Sequence, residues 1–160
     1  DVVDEFGKKI NFILDGGNSN IGLESTVINL VGRIKILRPG AISSIDISKI
    51  LKKKIIFQKK IKRINSPGLL KKHYSPGIPI KMNCKRRDDN AAFIVFGRRY
   101  KDKKNIFNLS SKGSLKEAAK NLYKTLRKIK NLNYKKINVV KIPKHSIGIA
   151  INDRLKKASN

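Results

Sequence analysis

Two short stretches hold the residues whose types could bind a phosphate or a carboxylate. The first, "LDGGNSNIGLESTVINL" (14–30), contains glycines that allow sharp turns and close backbone approach, and it places Ser25 and Thr26 at the head of a β-branched run. The second, "ILRPGAIS" (36–43), places Arg38 after an apolar run. A guanidinium there could meet a phosphate or carboxylate through two parallel hydrogen bonds. By residue type alone, a Gly-rich turn, two ordinary strand hydroxyls and a surface arginine form the alternative.

The elements that must position these groups are two short strands. The β-branched alternation of 25–30 and the alternation of 33–37 each predict a strand, and the Val-Gly pair at 31–32 between them predicts a turn. A β-hairpin of this kind brings Ser25 and Arg38 near one another.

The remaining periodic runs predict a chain in which strands alternate with helices, which is typical of an α/β fold with a mainly parallel sheet. Residues 114–132 give the clearest helix, with a capping box between Ser114 and Glu117. Ser44 or Asp46 is the predicted N-cap of the first helix. The predicted strands are 10–15, 54–61, 78–83, 91–96, 105–110 and 136–142, and the predicted helices are 43–53, 114–132 and 147–158.

Composition narrows the class of protein. The 160 residues carry 38 Lys and Arg against 11 Asp and Glu, a formal net charge of +27. The lysines are scattered and accompany many Ile and Asn, so the charge is interpreted mainly as compositional bias on a solvated surface, although it still favours anionic partners. One cysteine, Cys84, and two histidines give neither a disulfide framework nor a structural zinc site. No apolar run approaches the length of a membrane span, so we expect a cytoplasmic protein without a membrane partner.

The stretch "SPGLLKKHYSPGIPI" (66–80) separates the two patterned halves. Residues 59–79 are basic, hold three of the five prolines and show no sustained period, which indicates a semi-rigid linker. His73 and Tyr74 stand side by side within it. They could either reach a bound ligand or staple the linker to one of the halves.

Four segments in unbroken order resemble one family. They are "ILDGG" with "GLESTVINL", then "ILRPG", then "SPGLLKKHYSPGIPI", and last "IGIAINDRLKKAS". The chain resembles the C-terminal part of two-domain L-threonylcarbamoyladenylate synthases. The resemblance implies the end of a YrdC-like α/β catalytic domain (1–58), a linker over the active site (59–78) and a small Rossmann-like domain (79–160).

The resemblance also implies that the family's upstream phosphate-binding motifs precede Asp1. Residue 1 is not methionine and the only methionine is Met82, so we expect a processed chain or a piece of a longer protein. This piece alone is expected to be inactive.

The activity implied is that of a nucleotidyltransferase. Threonine, bicarbonate and ATP give threonylcarbamoyl-AMP and pyrophosphate, and the product serves N6-threonylcarbamoyladenosine modification of tRNA by downstream threonylcarbamoyl-transferase machinery. By the same resemblance Ser25 binds threonine, while Arg38 and Tyr74 bind ATP, whose Mg²⁺ arrives with the nucleotide. Such chemistry depends on positioning and charge neutralisation, and no residue here is assigned as catalytic.

Some alternatives stay open. Glu24 could act as a general base, although strand alternation turns it away from Ser25. Asn152 and Asp153 could be functional, although a helix whose polar residues bond neighbouring loops is favoured. Cys84 is interpreted as a core or boundary residue. The rival functions are a basic module that binds double-stranded RNA or tRNA, and a regulatory α/β module without catalysis.

Overall fold

The computed structural model describes residues 2–17, 19–57, 75–100 and 103–159. Within these ranges the helices are α1 (Val2–Phe6), α2 (Ser44–Leu51), α3 (Leu115–Asn131) and α4 (Gly148–Ala158), with a 3₁₀ turn at Gly7–Lys9. The strands are β1 (Val27–Asn29), β2 (Lys35–Arg38), β3 (Ile56–Phe57), β4 (Ile80–Lys81), β5 (Ala92–Val95), β6 (Ile106–Asn108) and β7 (Ile137–Val139).

The first sheet has the order β1-β2-β3 and contains the predicted hairpin. β1 runs antiparallel to β2, and the register pairs Val27 with Arg38 before an irregularity between Val27 and Ile28. β3 continues the sheet parallel to β2. Alternation holds along β2, where Ile36 and Arg38 are buried and their neighbours are half-buried. The strand predicted at 54–61 is therefore present, but only at Ile56–Phe57 within the described residues.

The second sheet has the order β4-β7-β5-β6, and all of its neighbouring strands are parallel. All four residues of the interior strand β5 are buried, as expected for a parallel strand covered on both faces. The predicted α/β class with a mainly parallel sheet is confirmed.

One face of α3 supplies much of the core. The buried positions of α3 recur at helical spacing, as the sequence predicts, and form part of the main apolar cluster: Ala118, Ala119, Leu122, Leu126 and Ile129. The buried face of α4 belongs to the same cluster and comprises Ala150, Ile151, Leu155 and Ala158. Both helices therefore contribute side chains to the same core as the parallel sheet.

The helix caps differ in detail from the predictions. The Ser114 hydroxyl accepts the Glu117 amide, but the Glu117 carboxylate accepts the Ser110 hydroxyl at 2.6 Å, so only half of the predicted capping box forms. The complete box is in α2, between Ser43 and Asp46. The predicted N-cap at Ser44 or Asp46 is wrong, because Ser43 has the extended backbone that a cap requires.

The strand predicted at 10–15 is also wrong. This run forms no regular element, and the side chains of Phe12 and Leu14 are 88% and 98% exposed. An apolar run becomes a strand only where another strand supplies backbone partners, and none of the described strands pairs with it. The apolar pattern of residues 10–15 alone therefore gave a wrong prediction.

Residues 58–74 lie outside the described part of the chain. The division into 1–58, 59–78 and 79–160 therefore stays a prediction. No helix in the described ranges is both long and apolar enough to cross a membrane.

Candidate functional site

The hairpin brings Ser25 and Arg38 into direct contact. Arg38 Nε donates to the Ser25 carbonyl at 3.2 Å, and Arg38 Nη2 donates to Ser25 Oγ at 3.3 Å. The Arg38 residue is only 8% exposed, whereas Ser25 is exposed. The predicted proximity is confirmed, and the alternative of a surface arginine is wrong because β2 carries Arg38 on its buried face.

A close approach of two backbones fixes this contact. A Cβ added at Gly40 would lie 2.2 Å from the Thr26 amide nitrogen, so only glycine fits there. The Thr26 hydroxyl donates to the Ile42 carbonyl at 2.7 Å and holds the same two segments together. The glycine of "LRPG" thus lets the loop after β2 lie directly on the loop before β1.

A buried ion pair links these loops to the C-terminal helices. Arg154 of α4 is fully buried and donates from Nε to Glu24 Oε2 at 2.8 Å and from Nη2 to the Pro39 carbonyl at 3.0 Å. The Tyr123 hydroxyl of α3 lies 3.1 Å from both Glu24 carboxylate oxygens. Both Glu24 carboxylate oxygens are therefore engaged by side chains of the C-terminal helices.

The electrostatics of Arg154 favour a permanent charge. Burial alone would lower the pKa of Arg154, but the hydrogen bond and charge of Glu24, with smaller contributions from Asp153 and Tyr123, raise that pKa above its ordinary value. Arg154 Nη1 also donates to Asp153 Oδ2 at 2.5 Å, and Lys157 Nζ lies 2.7 Å from the same oxygen. The guanidinium thus keeps its positive charge inside the fold.

The pattern of "AINDR" (150–154) led to no predicted role for Arg154. A signal was available, because Arg154 falls at helical spacing among the apolar residues of α4, between Ile151 and Ala158. A charged residue on a buried face needs a partner of opposite charge. The sequence could not say which carboxylate that would be.

The neighbouring polar residue behaves as predicted. Asn152 Nδ2 donates to the Gly148 carbonyl at 2.7 Å and to the Ile142 and Pro143 carbonyls at 3.3 Å each. It holds the loop before α4 onto the helix. The interpretation of Asn152 as a residue that bonds a neighbouring loop is confirmed.

Cys84 is a partly buried residue packed against the main core. Its thiol lies 3.4 Å from the Lys81 carbonyl. The interpretation as a boundary residue is confirmed. Among the described residues no group of three or more His, Cys, Asp or Glu side chains is arranged to hold a metal ion.

A cavity of about 1010 Å³ opens beside Glu24, between the loop before β1 and α3. Ser75 and Pro76, which follow Tyr74 in the sequence, line it as well. Its cationic residues all come from α3, namely Lys120, Lys124, Arg127 and Lys130. His73 and Tyr74 lie outside the described residues, so the predicted ATP contact of Tyr74 stays a prediction.

The pair Ser25–Arg38 offers an exposed hydroxyl beside a guanidinium. Such a combination suits a ligand that carries a carboxylate or a phosphate. It supplies no nucleophile activated by a neighbouring base. The arrangement can therefore bind and orient an anionic substrate, but it gives no sign of covalent catalysis.

The chain is similar to known proteins over nearly its whole length. Residues 42–160 match the family model "Threonylcarbamoyl-AMP synthase, C-terminal domain". The chain is 28% identical to the threonylcarbamoyl-AMP synthase of Pyrococcus abyssi and 27% identical to that of Bacillus subtilis. Each match covers 99% of this chain, and 52% and 51% of the relatives. The chain thus spans about half the length of the curated relatives it matches.

Two solved structures share the fold. The crystal structure of Pyrococcus abyssi Sua5 complexed with L-threonine matches with a TM-score of 0.83 and 28% identity, over 99% of this chain and 52% of that one. A variant of the same protein, with alanine in place of a histidine and the tyrosine after it, matches with a TM-score of 0.78 and 26% identity, over 99% and 51%. The chain belongs to the threonylcarbamoyl-AMP synthase family, whose C-terminal domain model it matches over most of its length.

Proposed function

We propose that the complete protein containing this chain makes threonylcarbamoyl-AMP from L-threonine, bicarbonate and ATP. The observation that carries the proposal is the similarity of 99% of the chain to a structure holding L-threonine, together with the Ser25–Arg38 contact. A guanidinium beside a hydroxyl can bind the carboxylate and phosphate groups that these substrates carry.

The proposed reaction is a nucleotidyl transfer. The threonine amine and bicarbonate condense to the N-carboxylated amino acid with loss of water, and its carbamate oxygen attacks the α-phosphorus of ATP. The bond from that phosphorus to the bridging oxygen breaks, and pyrophosphate leaves with the bond electrons. The protein contributes position and charge neutralisation, and Mg²⁺ enters with the nucleotide.

Two described residues have proposed roles in this reaction. The exposed hydroxyl of Ser25 hydrogen-bonds the threonine moiety, and the guanidinium of Arg38 binds an ATP phosphate. Arg38 suits this role because β2 and the Ser25 carbonyl already hold its side chain in place, which lowers the entropy lost on binding.

Tyr74 has a proposed role as an anchor of the linker on the nucleotide. Ser75 and the buried Pro76, which directly follow Tyr74 in the sequence, line the cavity beside Glu24. A relative with adjacent histidine and tyrosine both changed to alanine has been solved, and His73–Tyr74 is such a pair in this chain. A linker closed over the site would exclude water from the mixed anhydride product.

The partners follow from the reaction. The product carries an activated carbamoyl group, so a transferase that modifies tRNA is its proposed consumer, in the cytoplasm. The net charge of +27 would also favour contact with tRNA or another double-stranded RNA through long-range attraction.

The test is product formation by the purified complete protein. Incubation with L-threonine, ATP and isotope-labelled bicarbonate should give threonylcarbamoyl-AMP with the label in its carbamoyl carbon, detected by mass spectrometry. The same assay on residues 1–160 alone should give no product. Absence of labelled product from the complete protein, with RNA binding in its place, would favour the basic RNA-binding module.

A further inference from the structure

Arg154 is a fully buried cation for which the proposed chemistry has no use. Its guanidinium bonds the Glu24 carboxylate at 2.8 Å and the Pro39 carbonyl at 3.0 Å. Glu24 immediately precedes Ser25, and Pro39 immediately follows Arg38. One side chain of α4 therefore holds both residues that flank the proposed substrate pair.

The loops that Arg154 touches are also packed against one another. A Cβ at Gly40 would lie 2.2 Å from the Thr26 nitrogen and 2.5 Å from the Ser25 carbonyl carbon. A Cβ at Gly22 would lie 2.5 Å from the Lys120 Cα, so the loop before β1 also rests directly on α3. A shift of either loop on its own would therefore cause a backbone clash or open a gap.

Tyr123 completes the arrangement from the neighbouring helix. Its hydroxyl lies 3.1 Å from both oxygens of the Glu24 carboxylate, which is otherwise 30% exposed. Glu24 is thus fixed from two helices at once. We call Arg154, Glu24, Tyr123 and the Pro39 carbonyl the Arg154 clamp.

We propose that Arg154 and Tyr123 are positioning residues for the substrate site, acting through Glu24 and Pro39 to hold Ser25 and Arg38 in register. This inference rests on the proposed function. A buried ion pair often adds little stability beyond what apolar residues of the same volume would give. A planar, permanently charged guanidinium that bonds two separate loops is suited to fixing their relative position.

The experiment compares three variants of the complete protein. Arg154→Lys keeps the charge but cannot bond both loops in the same way, and Tyr123→Phe removes one hydroxyl. Lys156→Gln is the matched control, because Lys156 lies on the same helix and is exposed. The readouts are amide hydrogen exchange of residues 24–26 and 38–42, and the KM values for L-threonine and ATP.

We expect Arg154→Lys to accelerate exchange in both loops at least tenfold and to raise both KM values together by threefold or more. Tyr123→Phe should show the same pattern more weakly, with the larger effect at 24–26. Lys156→Gln should leave exchange and both KM values unchanged. A merely structural role would lower kcat through loss of folded protein and leave both KM values at the wild-type level.

Unchanged KM values in the folded variants would overturn the proposal, whether or not exchange accelerates. If Arg154→Lys does not fold, Tyr123→Phe decides by the same criteria. A different result would overturn the proposed function: a complete wild-type protein that makes no threonylcarbamoyl-AMP and binds neither L-threonine nor ATP. Faster exchange in the Arg154→Lys variant of that protein would then show only that the Arg154 clamp holds the two loops together. The two failures are therefore distinguishable.

Discussion

Arg154 Nε and Glu24 Oε2 are 2.8 Å apart, although 130 positions of sequence separate the two residues. The carboxylate belongs to the loop before β1, and the guanidinium belongs to α4. This contact joins the segment that resembles the end of a catalytic domain to the C-terminal helices. It links the loop that carries Ser25 to the parallel-sheet half of the chain.

Arg38→Ala in the complete protein should weaken ATP use strongly, because a charge-assisted contact to phosphate contributes about 1.5–3 kcal/mol, or roughly 10- to 150-fold. Arg38→Lys should restore the binding only in part, since lysine cannot make two parallel hydrogen bonds. Titration calorimetry with ATP measures both variants.

The control for Arg38 is Arg33→Ala, which removes the same charge from an exposed position near the hairpin turn. It should leave ATP affinity within about twofold of wild type, because exposed charges contribute little. Equal losses from both variants would assign the effect of Arg38 to net charge and contradict the phosphate contact.

Gly40→Ala should destabilise the fold. The added Cβ would lie 2.2 Å from the Thr26 nitrogen, so the two loops would have to separate. Overpacking of this kind typically costs about 1–3 kcal/mol in the free energy of unfolding. Gly16→Ala is the matched control because nothing lies within 4 Å of its Cβ. Equal denaturant midpoints for the two variants would refute the close approach.

The Asp46 carboxyl offers a test of the α2 cap. Hydrogen bonds from the side chain and backbone of Ser43 lower the pKa of Asp46 below its ordinary value of 3.8. Because the folded pKa is the lower one, the stabilisation is present above about pH 3.8 and is lost as pH falls through the lowered value. NMR titration of the Asp46 carboxyl should show a midpoint below 3.8.

Ser43→Ala should return the Asp46 midpoint toward the ordinary value, because it removes the hydroxyl donor. Ser48→Ala, a substitution on the same helix away from the cap, should leave the midpoint where it is. A midpoint that does not respond to Ser43→Ala would mean that the cap does not hold this carboxylate.

The linker should become protected when substrates bind. Tyr74→Ala in the complete protein is expected to lower the yield of threonylcarbamoyl-AMP per ATP consumed, because water would reach the mixed anhydride. Hydrogen exchange of residues 66–76 should slow in the presence of ATP and L-threonine. Exchange that is the same with and without both substrates would mean that the segment only connects the two halves.

Much of the fold was accessible from local pattern. The hairpin follows from alternation, the parallel strands 92–95, 106–108 and 137–139 follow from short apolar runs, and the buried face of α3 follows from helical spacing. Because the hairpin register is set locally, the sequence also predicted the proximity of Ser25 and Arg38. Strong local signals of this kind need no tertiary information.

The errors and omissions concern contacts made at long range. The run 10–15 has the apolar pattern of a strand, but no described strand pairs with it. The Glu24–Arg154 pair was missed because the residues around either one in the sequence do not specify a partner 130 positions away. Glu117 bonds Ser110 in preference to its own N-cap because the loop before α3 brings that hydroxyl within 2.6 Å.

The central claim is that L-threonine and ATP meet at the Ser25–Arg38 contact. Binding of L-threonine to the complete protein, measured by calorimetry for wild type, Ser25→Ala and the exposed control Ser111→Ala, tests it most directly. We expect Ser25→Ala to weaken binding by roughly 2- to 13-fold, the effect of about 0.5–1.5 kcal/mol for one hydrogen bond, and Ser111→Ala to leave binding unchanged. Wild-type threonine affinity in Ser25→Ala would contradict the account and place the amino acid elsewhere.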